Sequence, residues 1–362
     1  MSRHWMLRAL ELAGRGVGRV SPNPMVGAVL VKSGRTVGEG WHRRFGGPHA
    51  EVEALRAAGR AASGATLYVT MEPCCTCGKT GACTEALLTA GIKRVVAATL
   101  DPNCAVNGRG LRCLRAAGVA VELGLLAAEA RRLNEAYFCS RRERRPFFTL
   151  RVALTLDGMM AARNGESQWI TGPAARRRTM ALRCSSDAVL VGVETVLRDD
   201  PRLTCRGARR VPVLRVVLDS RLRTPPAARL FREPGPVLLL TSRGDAARRA
   251  RLERAGAEVI EVRSGRSGLL DWTAIAAELH RRDIQSVLVE GGARVASSAL
   301  EAGLVDKVVT FHAPMLMGPG RCMTGGMRPR GFGRVIQLRR VRHELLGPDV
   351  MTEGYIPRRG KN

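Results

Sequence analysis

Thr66-Leu67-Tyr68-Val69-Thr70-Met71-Glu72-Pro73-Cys74, together with Pro48-His49-Ala50-Glu51-Val52-Glu53-Ala54-Leu55 upstream, decides the fold of the first half of the chain. The first stretch opens on β-branched, aliphatic and aromatic residues, which predict a strand to about Thr70. Pro73 then begins a second helix straight after it. The upstream stretch opens a helix at Pro48-His49, with apolar residues at 3.6 spacing from Ala50 to Ala58. Working outward, Val26 to Val31 and Val95 to Leu100 repeat the strand pattern. Thr84 to Ala90 and Gly110 to Ala117 repeat the helical one, the latter ended by Gly118. Strands alternating with helices predict a largely parallel sheet covered on both faces, a three-layer α/β/α sandwich.

Arg141-Arg142-Glu143-Arg144-Arg145 before Pro146 interrupts this rhythm and reads as a linker. It divides the chain into domains 1–145 and 146–362. A second α/β rhythm follows, with strands expected at Phe147 to Leu154, Ala188 to Val191, Val213 to Leu218, Val237 to Thr241, Val259 to Val262, Ser286 to Val289 and Lys307 to Phe311. Helices are expected at Ala174 to Cys184, Ala246 to Ala255, Asp271 to Arg281 and Ala293 to Ala302.

A length of 362 residues suits two domains, and 45% hydrophobic residues is ample for sizeable cores. No apolar run approaches the roughly 18 residues of a membrane span, and the amphipathic N-terminus lacks a signal-peptide core. A soluble cytoplasmic protein is expected. Of ten cysteines, Cys74, Cys75, Cys77 and Cys83 cluster and the other six are scattered singly. Disulfide frameworks belong to short secreted chains, so the cluster reads as metal-binding. The net charge of +27, from 59 Lys+Arg against 32 Asp+Glu, invites a nucleic-acid reading. Yet the excess is +11 before Pro146 and +16 from there on, spread by length, and 54 of the cations are Arg against 5 Lys. With no aromatic-lined basic stripe, this is a compositional bias that favours small phosphorylated anions over a specific nucleic-acid groove.

His49 with Glu51 two residues later, then Pro73-Cys74 and a further cysteine, is the signature of a zinc-dependent deaminase. His49 and two thiolates would leave the fourth tetrahedral position to water, whose pKa zinc lowers towards about 7. Glu51, not a ligand, stands one helical step away to take the water's proton and pass it to the departing amine. A structural zinc site would fill its fourth position with protein. From spacing alone, Cys74 pairs with either Cys77 or Cys83.

Asn23-Pro24-x-Val26-Gly27, Gly40-Trp41-His42, Pro48-His49-Ala50-Glu51, Glu72-Pro73-Cys74, Gly78-Lys79-Thr80, Cys83 and Asp101-Pro102-Asn103 resemble the bifunctional riboflavin-biosynthesis family, a pyrimidine deaminase fused to a reductase. The resemblance selects Cys74 and Cys83 as the two thiolate ligands. It further implies that Asn23, His42, Lys79, Asp101 and Asn103 hold the pyrimidine and its ribose phosphate. On their own, Asn23 and Asp101-Pro102-Asn103 read as turn residues. Cys75-Thr76-Cys77 departs from the family's histidine-bearing loop, and Thr76 replaces a His with a group that cannot be charged.

The second half resembles the same family's reductase domain, similar in fold to dihydrofolate reductase. The matching blocks include Leu156-Asp157-Gly158, Gly165-Glu166-Ser167-Gln168-Trp169, Leu182-Arg183, Asp199-Asp200-Pro201-x-Leu203-Thr204-x-Arg206 and Glu290-Gly291-Gly292. A Gly-Gly between strand and helix permits close approach of an anion to the helix N-terminus. No GxGxxG is present, so a Rossmann reading is unsupported. The resemblance implies NADPH contacts from Ala153, Trp169, Thr195, Asp199 and Gly292, Ala293, Arg294, Val295, Ala296, Ser297 and Ser298. It implies substrate contacts from Ser167, Arg183, Leu203, Arg206 and Glu290, the arginines taking the phosphate. Arg151 stands where the family usually has Lys, which keeps the charge, and Met159 stands where it usually has Lys or Arg, which loses it.

The expected function is thus zinc-dependent hydrolytic deamination of 2,5-diamino-6-(5-phosphoribosylamino)pyrimidin-4-one. NADPH-dependent reduction of the ribosyl chain of 5-amino-6-(5-phosphoribosylamino)uracil would follow. Two other classes compete: a nucleic-acid base deaminase, which leaves the second half without a role, and a reductase carrying a decayed zinc-binding domain. Homo-oligomerisation is left open.

Overall fold

The computed structural model describes residues 2–76, 81–206, 212–265, 268–327, 331 and 335–357. The chain forms two compact units, Met1–Arg145 and Pro146–Asn362.

The first unit runs α1 (Ser2–Gly14), β1 (Gly27–Lys32), β2 (Arg35–Trp41), α2 (Ala50–Ala58), β3 (Thr66–Val69), α3 (Cys83–Thr89), β4 (Arg94–Ala97), α4 (Arg109–Ala116), β5 (Ala120–Leu123), α5 (Ala127–Leu133) and α6 (Glu135–Glu143). Its five strands are ordered β2-β1-β3-β4-β5. Period-two burial makes the three layers. Ala28, Leu30, Leu67, Val69, Val95 and Ala97 face α2, α3 and α4. Val29, Val31, Tyr68 and Val96 face Met6, Ala9 and Leu12 of α1 and Ala130 of α5.

Two expectations need correction. The sheet is mixed rather than largely parallel, because β1 is antiparallel to both β2 and β3 and only β3, β4 and β5 run parallel. Nor does a helix begin at Pro73: residues 72–75 are irregular and α3 starts at Cys83. The Glu72 carboxylate accepts from amides of Asp101, Gly108, Gly110 and Leu111, which holds residue 72 against the segment before α4 instead of in a helix of its own.

The second unit contributes β6 (Phe147–Thr155), β7 (Met159–Ala162), α7 (Pro173–Ser185), β8 (Ala188–Gly192), α8 (Val193–Asp199), β9 (Leu214–Leu218), β10 (Val237–Thr241), α9 (Ala246–Arg254), β11 (Ala257–Glu261), α10 (Trp272–Arg281), β12 (Ser286–Val289), α11 (Ala293–Glu301), β13 (Val305–Ala313), β14 (Gly320–Cys322), β15 (Arg339–Leu346) and β16 (Asp349–Tyr355). Nine strands form one sheet, ordered β11-β10-β9-β8-β12-β6-β13-β16-β15, and β7 pairs with β14 separately. The seven strands from β11 to β13 are parallel, and β16 and β15 add antiparallel strands at one edge. Burial alternates again, Ala188, Leu190, Val216 and Val289 facing one core and Val189, Val191, Val217 and Leu288 the other. The carboxyl ends of β8 and β12 lead into α8 and α11, which is where open α/β sheets gather ligands.

Candidate active sites

In the first unit, β2 delivers His42 and α2 delivers His49 and Glu51. The two elements approach closely because Gly38 and Gly40 face α2: a Cβ at either would collide with the carbonyl of Ala54 or Ala50. His49 is the N-cap of α2, which puts Glu51 in the first turn, 3 % exposed. His49 Nδ1 lies 3.2 Å from Cys83 Sγ and 3.5 Å from Cys74 Sγ, and the three donor atoms fall within 4.8 Å of one another. Among the described residues no fourth His, Cys, Asp or Glu joins the cluster. One imidazole and two thiols are the three-donor set of a catalytic zinc ion, which leaves its fourth position to water. The hydrogen bond from Cys83 draws Cys74 below the ordinary thiol range, and that bond together with burial pushes Cys83 up. Burial raises the Glu51 carboxyl to about 7, against the pull of His49. Cys77, the alternative ligand, and Lys79, the expected phosphate contact, lie outside the described residues.

His42 closes one side, its ring 5.4 Å from that of His49. Its Nδ1 lies 2.9 Å from the Pro48 carbonyl, which can only accept, so Nδ1 carries a proton. Burial holds its pKa below the usual histidine value, so Nε2 accepts from Asn23 Nδ2 at 3.1 Å. Asn23 and His42 are therefore one hydrogen-bonded unit. Asp101 is buried, its Oδ1 accepting from the Asn103 amide at 2.8 Å and from Tyr137 Oη at 2.9 Å. Asn103 Oδ1 accepts from the Ala105 amide at 3.2 Å, so this pair builds its own turn.

Among the described residues of the second unit, a cavity of about 590 Å³ and one of about 650 Å³ share Thr195, Asp199 and Glu290 in their walls. The smaller is bounded by Gly192 at the end of β8 and by Gly291, Gly292, Ala293, Arg294, Val295 and Ser298 at the start of α11, with Ser167 on the rim. Ala296 and Ser297 are turned into the core instead. Ala296 is fully buried, and the Ser297 hydroxyl donates to the Met323 carbonyl and accepts from the Gly326 amide. Ala153, on β6, lines neither cavity. The larger cavity takes Trp169, Arg183, Leu203 and Arg206, with Arg151, Arg176, Arg202 and Arg229. Six arginines against Asp199, Asp200 and Glu290 make it a receptor for an anion. Arg183 binds Glu290 bidentately at 2.7 Å on both arms, which uses two of its five N–H donors. Burial would raise the Glu290 carboxyl, but Arg183 and Arg151 outweigh it and hold it below the ordinary range.

Several contributors escape a motif search. Glu72 accepts from four amides, those of Gly108 at 2.8 Å, Gly110 at 2.9 Å, and Asp101 and Leu111 at 3.3 Å. It thereby ties the chain just before Cys74 to the start of α4. Arg151 lies inward with its Nε buried and without a hydrogen bond among the described residues, its guanidinium over the Phe311 ring, and its only signal in the sequence was an Arg in place of the family's usual Lys. Cys184 and Cys205, read as scattered singles, form a disulfide. Twenty-one positions separate them, and only the tertiary fold brings them together.

Residues 146–352 match the family model for the RibD C-terminal domain, and residues 1–99 match that for the cytidine and deoxycytidylate deaminase zinc-binding region. The chain is 41% identical over 354 residues to the riboflavin biosynthesis protein RibD of Aquifex aeolicus, covering 97% of each. It is also 41% identical over 364 residues to that of Escherichia coli, covering 96% of this chain and 97% of the relative. Among solved structures, Acinetobacter baumannii RibD superposes with a TM-score of 0.89 at 35% identity over 99% of both chains. The diaminohydroxyphosphoribosylaminopyrimidine deaminase/5-amino-6-(5-phosphoribosylamino)uracil reductase of Thermotoga maritima gives 0.88 at 37% identity, over 98% of this chain and 99% of the other. Likeness on this scale spans both units and both sites: the chain belongs to the RibD family of riboflavin biosynthesis, in which a zinc-dependent deaminase and an NADPH-dependent reductase share one polypeptide.

Proposed function

We propose that the first unit deaminates 2,5-diamino-6-(5-phosphoribosylamino)pyrimidin-4-one with Glu51 as its acid–base group and His49, Cys74 and Cys83 as its metal ligands. The observation that carries this reading is the convergence of those three donors within 4.8 Å of one another, with a buried carboxyl two residues on from His49. When bound there, zinc supplies Lewis-acid activation of the water that the hydrolysis consumes. Glu51 takes a proton from that water and returns it to the departing amine, a role suited by a carboxyl raised to about 7. The Asn23–His42 pair offers an amide and a neutral imidazole to the edge of the pyrimidine. Asp101, held by Tyr137 and the Asn103 amide, borders the ribose, and Lys79 is the phosphate contact.

In the second unit the smaller cavity takes NADPH and the larger takes 5-amino-6-(5-phosphoribosylamino)uracil. NADPH supplies the hydride when bound. Arg183 and Arg206 hold the phosphate, Leu203 flanks the substrate in the same cavity, Ser167 stands on the NADPH side in the smaller one, and Glu290, common to both, orients Arg183. Thr195 and Asp199, common to both cavities, fix the distance between the two reactants. The protein works on small phosphorylated metabolites in the cytoplasm, with no nucleic-acid partner.

A coupled assay with zinc analysis tests the assignment. Glu51→Gln keeps its zinc and loses at least about 100-fold in ammonia release, while NADPH oxidation with the reductase substrate is unchanged. Cys83→Ser loses zinc and ammonia release together. Full zinc in Cys83→Ser, with loss in Cys77→Ser, would reassign the third ligand.

A further inference from the structure

Cys184 and Cys205 stand immediately beside the two arginines assigned to the reductase substrate's phosphate, Arg183 and Arg206. Cys184 is on the last turn of α7, and Cys205 lies in the segment that runs from Asp200 to Arg206. The disulfide holds their Cα atoms 5.0 Å apart. Arg183, Leu203, Thr204 and Arg206 all line the larger cavity, so the bond ties one wall of that cavity to another.

The rest of the segment is anchored unevenly. Its first half is fixed by Asp200, whose Oδ1 accepts from the Arg229 amide at 2.7 Å, and by Leu203, 2 % exposed among Val191, Val193 and Val196. Its second half, residues 204–206, makes one hydrogen bond among the described residues, from the Arg206 amide to Met180 Sδ at 3.2 Å. A thioether is a weak acceptor. Met180 lies one helical turn before Cys184, so this contact and the disulfide sit on the same seam. The covalent bond is therefore the principal restraint on the end of the segment that carries Arg206. Both cysteines are partly exposed, within reach of a small thiol or disulfide.

We propose that Cys184 and Cys205 are positioning residues for the reductase, joined as a disulfide that holds Arg206 beside Arg183 and parted as thiols that release it. The inference rests on the assignment of these two arginines to the substrate phosphate. The step is thiol–disulfide exchange. In the forward direction the two thiols lose two protons and two electrons, a low-molecular-weight disulfide accepts them, and it leaves as two thiols. A low-molecular-weight dithiol reverses it, forming its own disulfide and returning both protons and electrons to the cysteines. Preorganising one phosphate-binding arginine acts on substrate affinity and leaves the hydride step and the NADPH cavity alone.

The test uses the full-length zinc-loaded enzyme, oxidised with glutathione disulfide or reduced with dithiothreitol, with the Cys184–Cys205 peptide verified by mass spectrometry. The oxidised form is expected to show a KM for 5-amino-6-(5-phosphoribosylamino)uracil about fivefold lower than the reduced form. Its kcat, its KM for NADPH and its ammonia release are expected to match those of the reduced form. The double variant Cys184→Ser/Cys205→Ser should track the reduced enzyme under both conditions, whereas a merely structural crosslink would move kcat and both KM values together. A substrate KM independent of redox state, or no crosslinked peptide after oxidation, overturns the proposal. Arg206→Ala separates the two levels of the argument. If it raises KM while redox state does not, the clamp falls and the phosphate assignment stands; if it leaves KM unmoved, the assignment itself fails.

Discussion

Glu72 shows how much of a metal centre can depend on a side chain that never touches the metal. Its carboxylate satisfies the backbone amide of Asp101 and three amides at the turn into α4, while its own backbone leads directly to Pro73 and Cys74. Gly110 completes the fit, since a Cβ there would collide with the Pro73 carbonyl. Glu72→Ala strands several buried amides and is expected to cost about 4 kcal/mol in the first unit, with loss of zinc retention. Glu72→Gln keeps one accepting oxygen and should cost about half as much; chemical denaturation with metal analysis measures both. Glu290 is the counterpart in the second unit, a buried carboxylate between Arg183 and Arg151. Its folded pKa lies below the ordinary value, so its stabilisation is complete above the usual carboxylate range and is lost as pH falls through the depressed pKa. Glu290→Gln leaves the buried guanidiniums without their counter-charge and is expected to cost about 3–5 kcal/mol at pH 7. The gap to wild type narrows as the medium is acidified through that pKa, which urea unfolding at a series of pH values would follow.

Among the elements, the strands and helices that the residue pattern foretold are those with long apolar or β-branched runs, such as β6, β10, β12 and α2. β2 was hidden because Arg35-Thr36-Val37-Gly38-Glu39-Gly40-Trp41 spends two of its seven positions on glycine. Those glycines read as loop residues locally but are there to admit α2. β5, four residues with little burial, carries no periodic signal, and β15 is almost wholly exposed, so neither shows the alternation of a half-buried strand. The metal centre was legible because its residues sit in short motifs whose spacing is set by chemistry. The disulfide and the Asn23–His42 pair were not, because they join residues brought together only by the fold. Gly40→Ala tests the element-level claim. Its Cβ would meet the Ala50 carbonyl, backbone of the turn that carries His49 and Glu51, so α2 must move off the sheet. A loss of about 1–3 kcal/mol with weakened zinc retention is expected. Gly14→Ala, where a Cβ meets nothing within 4 Å, should be neutral in both measurements.

For the whole molecule, a net charge of +27 has to be reconciled with an enzyme of small metabolites. Part of the arginine excess is structural. Arg215 is buried on β9 and spends its guanidinium on the carbonyls of Leu230, Glu233 and Gly235. Many others are tied in surface ion pairs, such as Arg8 with Glu39 and Arg282 with Glu258. What remains is a diffuse positive field over a chain in which no described helix is long and apolar enough to cross a membrane. Such a field raises the local concentration of anions, and both substrates and NADPH carry phosphate. It is also screened, since the Debye length shrinks from about 30 Å at 0.01 M to about 8 Å at 0.15 M. Both activities are therefore expected to show KM values that rise about three- to tenfold between ~0.02 and ~0.2 M salt, with kcat nearly constant. Single-stranded DNA should inhibit at the low end, by the same non-specific attraction, and lose its effect by ~0.2 M. A salt-resistant, sequence-dependent complex with DNA or RNA would reverse that conclusion and make the charge a recognition surface; salt-sensitive KM values for both substrates, with no such complex, make it a field that gathers phosphate towards sites whose selectivity lies in a few buried side chains.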